Sequence, residues 1–380
     1  MFLCAATILG YAHHALLTPI LPLFIQEQGG TAILVGVITA AFSATSFLLR
    51  PFIGHMVDHW SAKGVMIVGT VVLGISSLGY LVYHAVILLL VRAVHGTGWA
   101  AYNTGAKVLL SASAPAQRRG ETAGYFSMAQ GVSTALVPAI ALWLLGIVDF
   151  IGIFIISSVC GFLAVASSLA VPTWEIRRAV GPKEAFWNNL LERSALLPSI
   201  LEFLTKATQP AAAIFIPLVA IERGIPVESL MVYYLGYGLV GITARGLFGG
   251  LSDRIGRGLI ISFGTTTTVV ALVITSQAGD IILLTLGGVL FGLGSAAFAP
   301  SVMALAIDVA PPERRGAAMA TYSMAFQLAQ GLGGLLGGIL IDTVGYQAMY
   351  LTMILAPVAA QVLVFKNRRA ISMANLGSPF

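Results

Sequence analysis

The sequence predicts an all-α membrane protein whose twelve transmembrane helices form two pseudo-symmetric six-helix bundles. Three observations predict this fold: an apolar composition, a regular series of long apolar runs, and an internal repeat. Hydrophobic residues make up 58% of the chain and charged residues 9%, and the mean hydropathy is +0.93. A soluble domain carries about 25% charged residues. One span needs roughly 20 apolar residues, so the chain has room for about a dozen.

The length of each apolar run places the spans, six on either side of a charged segment. The first run is interrupted by His13, His14 and Pro19 and has no small-residue cleavage site after it. These features indicate a retained first span rather than a signal peptide. The predicted spans cover residues 3–25, 33–55, 64–83, 85–111, 120–146, 148–171, 195–220, 227–251, 257–277, 279–307, 316–341 and 344–366.

The spans and the charged segment together define four regions. We expect an N-terminal bundle at residues 1–171 and a C-terminal bundle at residues 194–366. A cytoplasmic linker at 172–193 joins them, and a cytoplasmic tail at 367–380 follows. We also expect a monomer in the lipid bilayer.

The basic residues indicate which side of the membrane each loop faces. Outside the apolar interior, sixteen Lys and Arg residues fall on one predicted side, and only Arg223 falls on the other. Positive residues favour the cytoplasmic side. We therefore expect both termini in the cytoplasm, with the chain in the cytoplasmic (plasma) membrane. The net charge of +5 then reflects topology and not nucleic-acid binding.

The chain repeats itself with an offset of 195 or 196 positions. Several short motifs recur in register, including Arg118-Arg119-Gly120 as Arg314-Arg315-Gly316 and Phe126-Ser-Met-Ala as Tyr322-Ser-Met-Ala. Six spans separate the copies, so both halves have the same orientation, which makes this a parallel repeat. The most polar repeated stretch runs from Arg50 to Gly64, as a break between two apolar runs. Its matched residues are Arg50, Gly54 and Asp58, which recur as Arg245, Gly249 and Asp253.

These residues resemble the major facilitator superfamily, and the resemblance covers essentially the whole chain. The Gly54 to Lys63 stretch looks like the loop signature between helices two and three. Arg92 to Gly98 looks like the helix-four signature of the twelve-helix drug:proton antiporter branch, with His95 where glutamine is commoner. The resemblance implies two bundles that rock about a central cavity. The helix-five signature of the antiporter branch is incomplete, since only Gly124 and Pro138 survive. Export is therefore less well supported than the fold.

The repeated polar stretches are expected to act as conformational latches. A carboxylate at a helix end can contact a neighbouring helix N-terminus or adjacent cations in one conformation only. The alternative is a simple turn with a solvated charge. The predicted latch residues are Arg50, Gly54, Asp58, Lys63, Arg245, Gly249, Asp253, Arg254 and Arg257.

Charged residues in the apolar interior of the predicted spans are few: Arg92, Lys107, Glu202 and Lys206. Such groups cost roughly 2.5–3.5 kcal/mol each, so they pair or line a polar cavity. Glu202 and Lys206 are one helical turn apart and are either a structural ion pair or a site with Glu202 as proton carrier. Arg92 is assigned to proton coupling, whereas Lys107 is left outside the site because it can extend to the interface.

Histidines, amides and aromatic residues complete the candidate site. His14 and His95 join Glu202 and Arg92 as candidates for proton coupling because histidine titrates near pH 6.5. For each remaining residue the alternative is helix packing. The candidates for substrate binding are Lys206, His13, Tyr102, Asn103, Gln130, Gln209, Tyr233, Tyr237, Phe326 and Gln330.

The sequence therefore predicts a secondary active transporter that exports a small organic molecule in exchange for protons. Proton-coupled uptake and transport of a lipid-like substrate are the alternatives. Three embedded cations against one carboxylate favour a neutral, zwitterionic or anionic substrate. Two distant cysteines and the absence of a phosphate-binding glycine loop exclude a disulfide framework, a typical zinc site and ATP as energy source. We expect no enzyme activity, no cofactor and no metal.

Overall fold

The structure is a computed structural model that describes residues 2–113, 119–172, 192–311, 314–369 and 371. Every regular element in these ranges is helical. The chain divides into two compact units, Met1–Val180 and Gly181–Phe380. The helices of unit one are α1 Phe2–Glu27, α2 Ala32–Leu48, α3 Arg50–His59, α4 Ala62–Gly79, α5 Ala85–Ser113, α6 Arg119–Leu145 and α7 Phe150–Leu169.

Unit two repeats this series with more interruptions. A short 3-10 turn, Arg193–Ala195, leads into its first helix. Its helices are α8 Leu196–Lys206, α9 Gln209–Ala213, α10 Ile216–Glu222, α11 Leu230–Ile255, α12 Arg257–Gln277, α13 Ile281–Asp308, α14 Arg315–Met353 and α15 Leu355–Lys366.

The described helices provide the predicted twelve crossings. Nine helical stretches are long and apolar enough to cross a membrane, and two bent pairs add two more. One of the nine, Ala317–Lys366, is 50 residues long and breaks at Gly345, where φ is 82° and ψ is 169°. At 1.5 Å per residue it would measure about 75 Å, more than twice the roughly 30 Å hydrocarbon core. It therefore supplies two crossings.

The second predicted span is bent and not continuous. Helices α2 and α3 meet at Leu49 with a bend of 41°. Pro51 lies in the first turn of α3, where its missing N–H interrupts the helical hydrogen-bond ladder. The polar stretch that begins at Arg50 is helical over Arg50–His59. The break comes at Trp60 and Ser61, where the Ser61 hydroxyl caps α4 by accepting from the Gly64 N–H.

The seventh predicted span is divided into α8, α9 and α10, with a bend of 47° before α10. Pro210 and Pro217 lie in the first turns of α9 and α10 and cannot donate backbone hydrogen bonds. Tyrosine hydroxyls satisfy the carbonyl groups of α9, as a membrane requires. The bonds run from Tyr350 to Ala211 (2.8 Å), from Tyr233 to Ala212 (2.7 Å) and from Tyr234 to Ala213 (2.7 Å).

Arg223 has a structural reason to be the one basic residue on the outer predicted side. Its guanidinium donates to the carbonyl groups of Thr275 and Ser276 at 2.9 Å each, and to that of Ala278. These carbonyls lie at the C-terminal end of α12, which a cation stabilises. The residue is therefore tied to a helix end.

Equivalent glycines hold neighbouring helices together in the two units. On α4, a Cβ at Gly69 would lie 2.3 Å from the Tyr102 backbone nitrogen of α5. On α12, a Cβ at Gly264 would lie 2.9 Å from the Phe298 backbone nitrogen of α13. Small residues of this kind let membrane helices approach closely. The sequence repeat is thus also a repeat of helix contacts.

We expect Gly69→Ala to destabilise unit one by about 1–3 kcal/mol, because the added methyl group has to displace backbone atoms. Gly246→Ala is the matched control, since no atom lies within 4 Å of a Cβ placed there. Thermal unfolding of the purified proteins in detergent measures both. Equal melting temperatures for the two variants would contradict the close helix contact.

Candidate functional site

A buried hydrogen-bonded chain in unit one joins Arg92, Tyr80 and His95. Nη1 of Arg92 donates to the Tyr80 hydroxyl at 3.4 Å, and this hydroxyl lies 2.9 Å from Nδ1 of His95. A guanidinium only donates, so the Tyr80 oxygen accepts from Arg92. In the second bond, either the Tyr80 hydroxyl or Nδ1 of His95 can be the donor, according to the His95 tautomer.

A backbone carbonyl fixes the tautomer of His13. Its Nδ1 lies 2.8 Å from the carbonyl oxygen of Ser157 on α7, and a carbonyl only accepts, so Nδ1 carries the hydrogen. The Ser157 hydroxyl donates back to the His13 carbonyl at 3.0 Å and lies 3.0 Å from the Ser77 hydroxyl. The rings of His13 and His95 are 4.9 Å apart, centroid to centroid. Two buried imidazole rings are therefore neighbours in unit one.

His14 is stacked between two aromatic rings. Its centroid lies 4.4 Å from that of Trp99 and 5.0 Å from that of Phe42, with nearly parallel planes. The Arg92 guanidinium lies 4.7 Å from the Phe42 ring centroid. The Arg92 guanidinium, and the His14 imidazole when it is protonated, gain cation–π stabilisation from these rings.

Arg92 has no ion pair among the described residues, although only 6% of it is exposed. Four buried nitrogens of this cluster also have no hydrogen-bond partner among the described residues: Nε of Arg92, Nε2 of His13, Nε2 of His95 and Nδ1 of His14. Buried polar atoms of this kind are uncommon and call for an explanation. Within the described ranges, no group of three or more His, Cys, Asp or Glu is arranged to hold a metal ion.

In unit two, Glu202 and Lys206 lie on one face of α8, with 2% and 7% of each residue exposed. They act on each other electrostatically, but they form no ion pair within 4.0 Å among the described residues. The Lys206 ammonium donates instead to the Ser295 hydroxyl of α13 at 2.8 Å. The Tyr322 hydroxyl of α14 hydrogen-bonds the Glu202 carboxylate. The interpretation of these residues as a closed structural ion pair therefore does not fit the geometry.

The amide candidates of unit two form one hydrogen-bonded group. Gln330 donates to the Gln209 side-chain oxygen at 2.9 Å, and the Tyr237 hydroxyl lies near the same side chain. Phe326 is half-buried on the same helix as Gln330. Tyr233 differs, because its hydroxyl is committed to the Ala212 carbonyl.

The uncharged candidates of unit one also divide. The Tyr102 hydroxyl is buried against the carbonyl groups of Ala6 and Thr7, at 3.3 Å from each, which is a packing role. Asn103 accepts from the Tyr11 hydroxyl at 2.8 Å. Nε2 of Gln130 is buried without a partner among the described atoms.

The second predicted latch is a charged cluster. Arg257 at the start of α12 bonds Asp253 on α11 at 2.9 Å and also pairs with Asp308 at the end of α13. Arg254 and Arg245 are exposed. Gly249 is helical, with open space around it. The helix break comes at Gly256, whose φ of 103° favours glycine.

The first predicted latch is built differently. Lys63 donates to the Leu169 carbonyl of α7 at 2.8 Å. Arg50 is half-buried, and Gly54 has open space around it in α3. The Asp58 side chain lies outside what the structure describes. The two copies therefore share sequence and helix position, while their described contacts differ.

Glu192 fastens the start of unit two to α14. Its carboxylate accepts from the Ser194 N–H at 3.1 Å and the Ser194 hydroxyl at 2.9 Å, and it pairs with Arg314. These hydrogen bonds, followed by the charge of Arg314, hold the pKa of Glu192 below its usual range. Its backbone N–H also donates to the Thr321 hydroxyl at 2.9 Å.

Sequence reasoning missed several polar partners. One of them had a signal, because Tyr322 replaces Phe126 in the repeated Ser-Met-Ala motif and so adds a hydroxyl in one copy only. Asp308 is a second, as the one charged residue at the end of the tenth predicted span. The residues missed are Ser77, Tyr80, Ser157, Ser295, Asp308 and Tyr322.

Comparison with known proteins gives consistent results. The family model described as Major Facilitator Superfamily matches residues 3–204 and 199–378. The multi-drug resistance efflux pump PmrA of Streptococcus pneumoniae serotype 4 is 24% identical over 362 residues, which cover 88% of this chain and 87% of the pump.

Solved structures share the fold at low sequence identity. A crystal structure of the nucleoside transporter NupG has a TM-score of 0.73 at 15% identity, covering 100% of this chain and 99% of that one. A POT family transporter in complex with a thioalcohol-conjugated peptide has a TM-score of 0.80 at 14% identity, covering 98% of this chain and 95% of the other. At this identity the likeness concerns the fold alone.

We expect Tyr80→Phe to lower the stability of unit one by about 1–3 kcal/mol, because it leaves Arg92 and Nδ1 of His95 without their shared hydroxyl. Tyr125→Phe is the control, since Tyr125 is 57% exposed. Thermal unfolding in detergent compares the two variants. A Tyr80→Phe protein as stable as the control would show that the Arg92–Tyr80–His95 chain contributes nothing.

Proposed function

The chain belongs to the major facilitator superfamily, and we propose that it exports a small organic molecule in exchange for protons by alternating access. Glu202 is the observation that carries the proposal. It is a buried carboxylate beside a lysine in a transmembrane helix, and one of its oxygens has no partner among the described residues. Intramembrane carboxylates of this kind serve as proton carriers in transporters. The multidrug pump among the relatives supports export as the direction.

Arg92, His14 and His95 support proton coupling from unit one. A fixed positive charge beside two imidazoles makes their protonation sensitive to any change in their surroundings. We assign substrate contacts to Lys206, Gln209, Gln330 and their neighbours in unit two, where Lys206 bonds Ser295 and Gln330 bonds Gln209. We also propose cytoplasmic termini and a plasma-membrane location, on the bias of the basic residues.

The charges of the interior bear on the substrate class. Lys107 is exposed, which leaves Arg92, Lys206 and Glu202 as the buried members of the four charged residues in the interior of the predicted spans. Two cations against one carboxylate disfavour a purely cationic substrate. Neutral, zwitterionic and anionic molecules fit this balance better.

Glu202→Gln tests the coupling. A ligand found by thermal stabilisation is followed in liposomes that contain the purified protein, with and without an imposed pH gradient. We expect the variant to lose gradient-driven movement, because an amide cannot take up a proton, and to keep exchange of labelled for unlabelled ligand. Glu228→Gln, at an exposed position, is the control and should behave as wild type.

Driven transport that survives in Glu202→Gln would leave Glu202 with a structural role only. If the wild-type protein moves the ligand in the same direction as the protons, down the proton gradient, it is an uptake symporter and not an exporter. Flux that ignores the gradient would exclude proton coupling altogether.

Asp253→Asn tests the latch. The neutral side chain loses its ion pair with Arg257, so we expect transport to fall several-fold while ligand affinity stays near that of wild type. Asp58→Asn should do the same in the first copy. Asp280→Asn is the matched control, because asparagine also caps a helix N-terminus well. If Asp253→Asn transports at the rate of Asp280→Asn, Asp253 does not act as a latch. If Asp253→Asn loses ligand affinity to the same extent as transport, Asp253 belongs to the binding site.

A further inference from the structure

Three buried oxygens on α8 lack hydrogen-bond partners among the described residues. They are Oγ of Ser199, Oε2 of Glu202 and Oγ1 of Thr205. The three residues are 5%, 2% and 4% exposed. In native structures nearly all such atoms are bonded to protein or to ordered water.

The two hydroxyls are unusual for their setting. Buried serine and threonine side chains in helices commonly donate to the carbonyl four residues earlier, as Ser301 and Thr267 do here at 2.8 Å each. Ser199 and Thr205 have no such bond. Their hydroxyls can therefore donate and accept elsewhere, on either side of Glu202.

The spacing suits a chain of bridging waters. Ser199, Glu202 and Thr205 are three residues apart, so each step rises about 4.5 Å along the helix, between side chains that are neighbours on its surface. Two hydrogen bonds through one water reach about 5.6 Å. One water can thus connect each hydroxyl to the carboxylate.

The surroundings favour a proton over a metal cation. Among the described residues, two charged or titratable groups act on the carboxylate: Lys206 on the same helix and Tyr322 on α14. Arg245 on α11 acts on both of these groups. Hard cations need several oxygens that converge on one point. The oxygens of Ser199, Glu202 and Thr205 instead form a column that runs along the helix. A row of hydroxyls can instead pass protons in sequence.

We propose that Ser199 and Thr205 form the proton path of Glu202. A proton arriving from the linker end binds the Ser199 oxygen or its bridging water, which releases its own proton towards Oε2 of Glu202. The carboxylate becomes a carboxylic acid, and release through Thr205 restores both groups. Each hydroxyl ends with the proton count it began with. This path rests on Glu202 as the proton carrier of the proposed function and adds the residues that serve it.

The test follows the infrared carbonyl band of protonated Glu202 in the full chain, reconstituted in liposomes at acid pH. Glu202→Gln identifies the band by removing it. After transfer from H₂O to D₂O, the band shifts as the carboxyl proton exchanges. We expect Ser199→Ala and Thr205→Val to slow this shift about tenfold or more, because a positioned proton-transfer group is lost.

Ser199→Thr and Thr205→Ser keep a hydroxyl and should exchange at the wild-type rate. Ser301→Ala and Thr267→Val are controls whose hydroxyls are bonded within their own helices. Wild-type exchange in the alanine and valine variants of the column would overturn the path and leave Glu202 as carrier. Equal slowing in the controls would overturn it as well. The absence of any band that Glu202→Gln removes would overturn the proton carrier itself.

Discussion

The constraint on which this structure depends is that a membrane offers polar groups no water to bond. Backbone and side-chain groups within the spans therefore have to find partners in the protein. The three tyrosines that bond α9, the arginine that holds the end of α12 and the serine pair beside His13 all meet this demand. Against that background, the buried atoms left without partners stand out. Among the described residues, they include atoms of Arg92, of the three histidines of its cluster and of three residues on α8.

The repeat shows which parts of the chain serve folding and which serve chemistry. Gly69 and Gly264 make equivalent contacts between neighbouring helices, so both copies have kept the packing. The buried charged groups of the helices have not been kept, although the charges of the repeated polar stretches have. Unit one has Arg92 beside histidines, whereas unit two has Glu202 beside Lys206, and no counterpart of either group occurs in the other copy. Shared architecture with unshared charges is what an ancestral duplication followed by specialisation produces.

The spans could be predicted from the sequence because apolar length is a local property that the bilayer fixes. The bends of the spans could not be predicted. Pro51 and Pro217 indicate that a backbone donor is missing, but not the direction in which the helix bends. The proposed site could be predicted from the sequence only in part. Glu202 and Lys206 are visible as charges in an apolar run, yet only the fold reveals that Ser295 takes the lysine and Tyr322 the carboxylate. Partners distant in sequence, such as His13 and Ser157, follow from helix packing alone.

The charge balance narrows what exchange at Glu202 would require of a substrate. Protonation of this carboxylate makes its surroundings more positive and so raises the affinity for an anion. Binding of a proton and binding of an anion would then favour each other. Exchange by competition needs the opposite coupling, in which the substrate takes the place of the proton. A cationic or strongly hydrogen-donating group can do so at Glu202, while the neighbouring Lys206 favours a negative or electron-rich group elsewhere on the same molecule. Among the three substrate classes that fit the charges, a zwitterion satisfies both conditions at once.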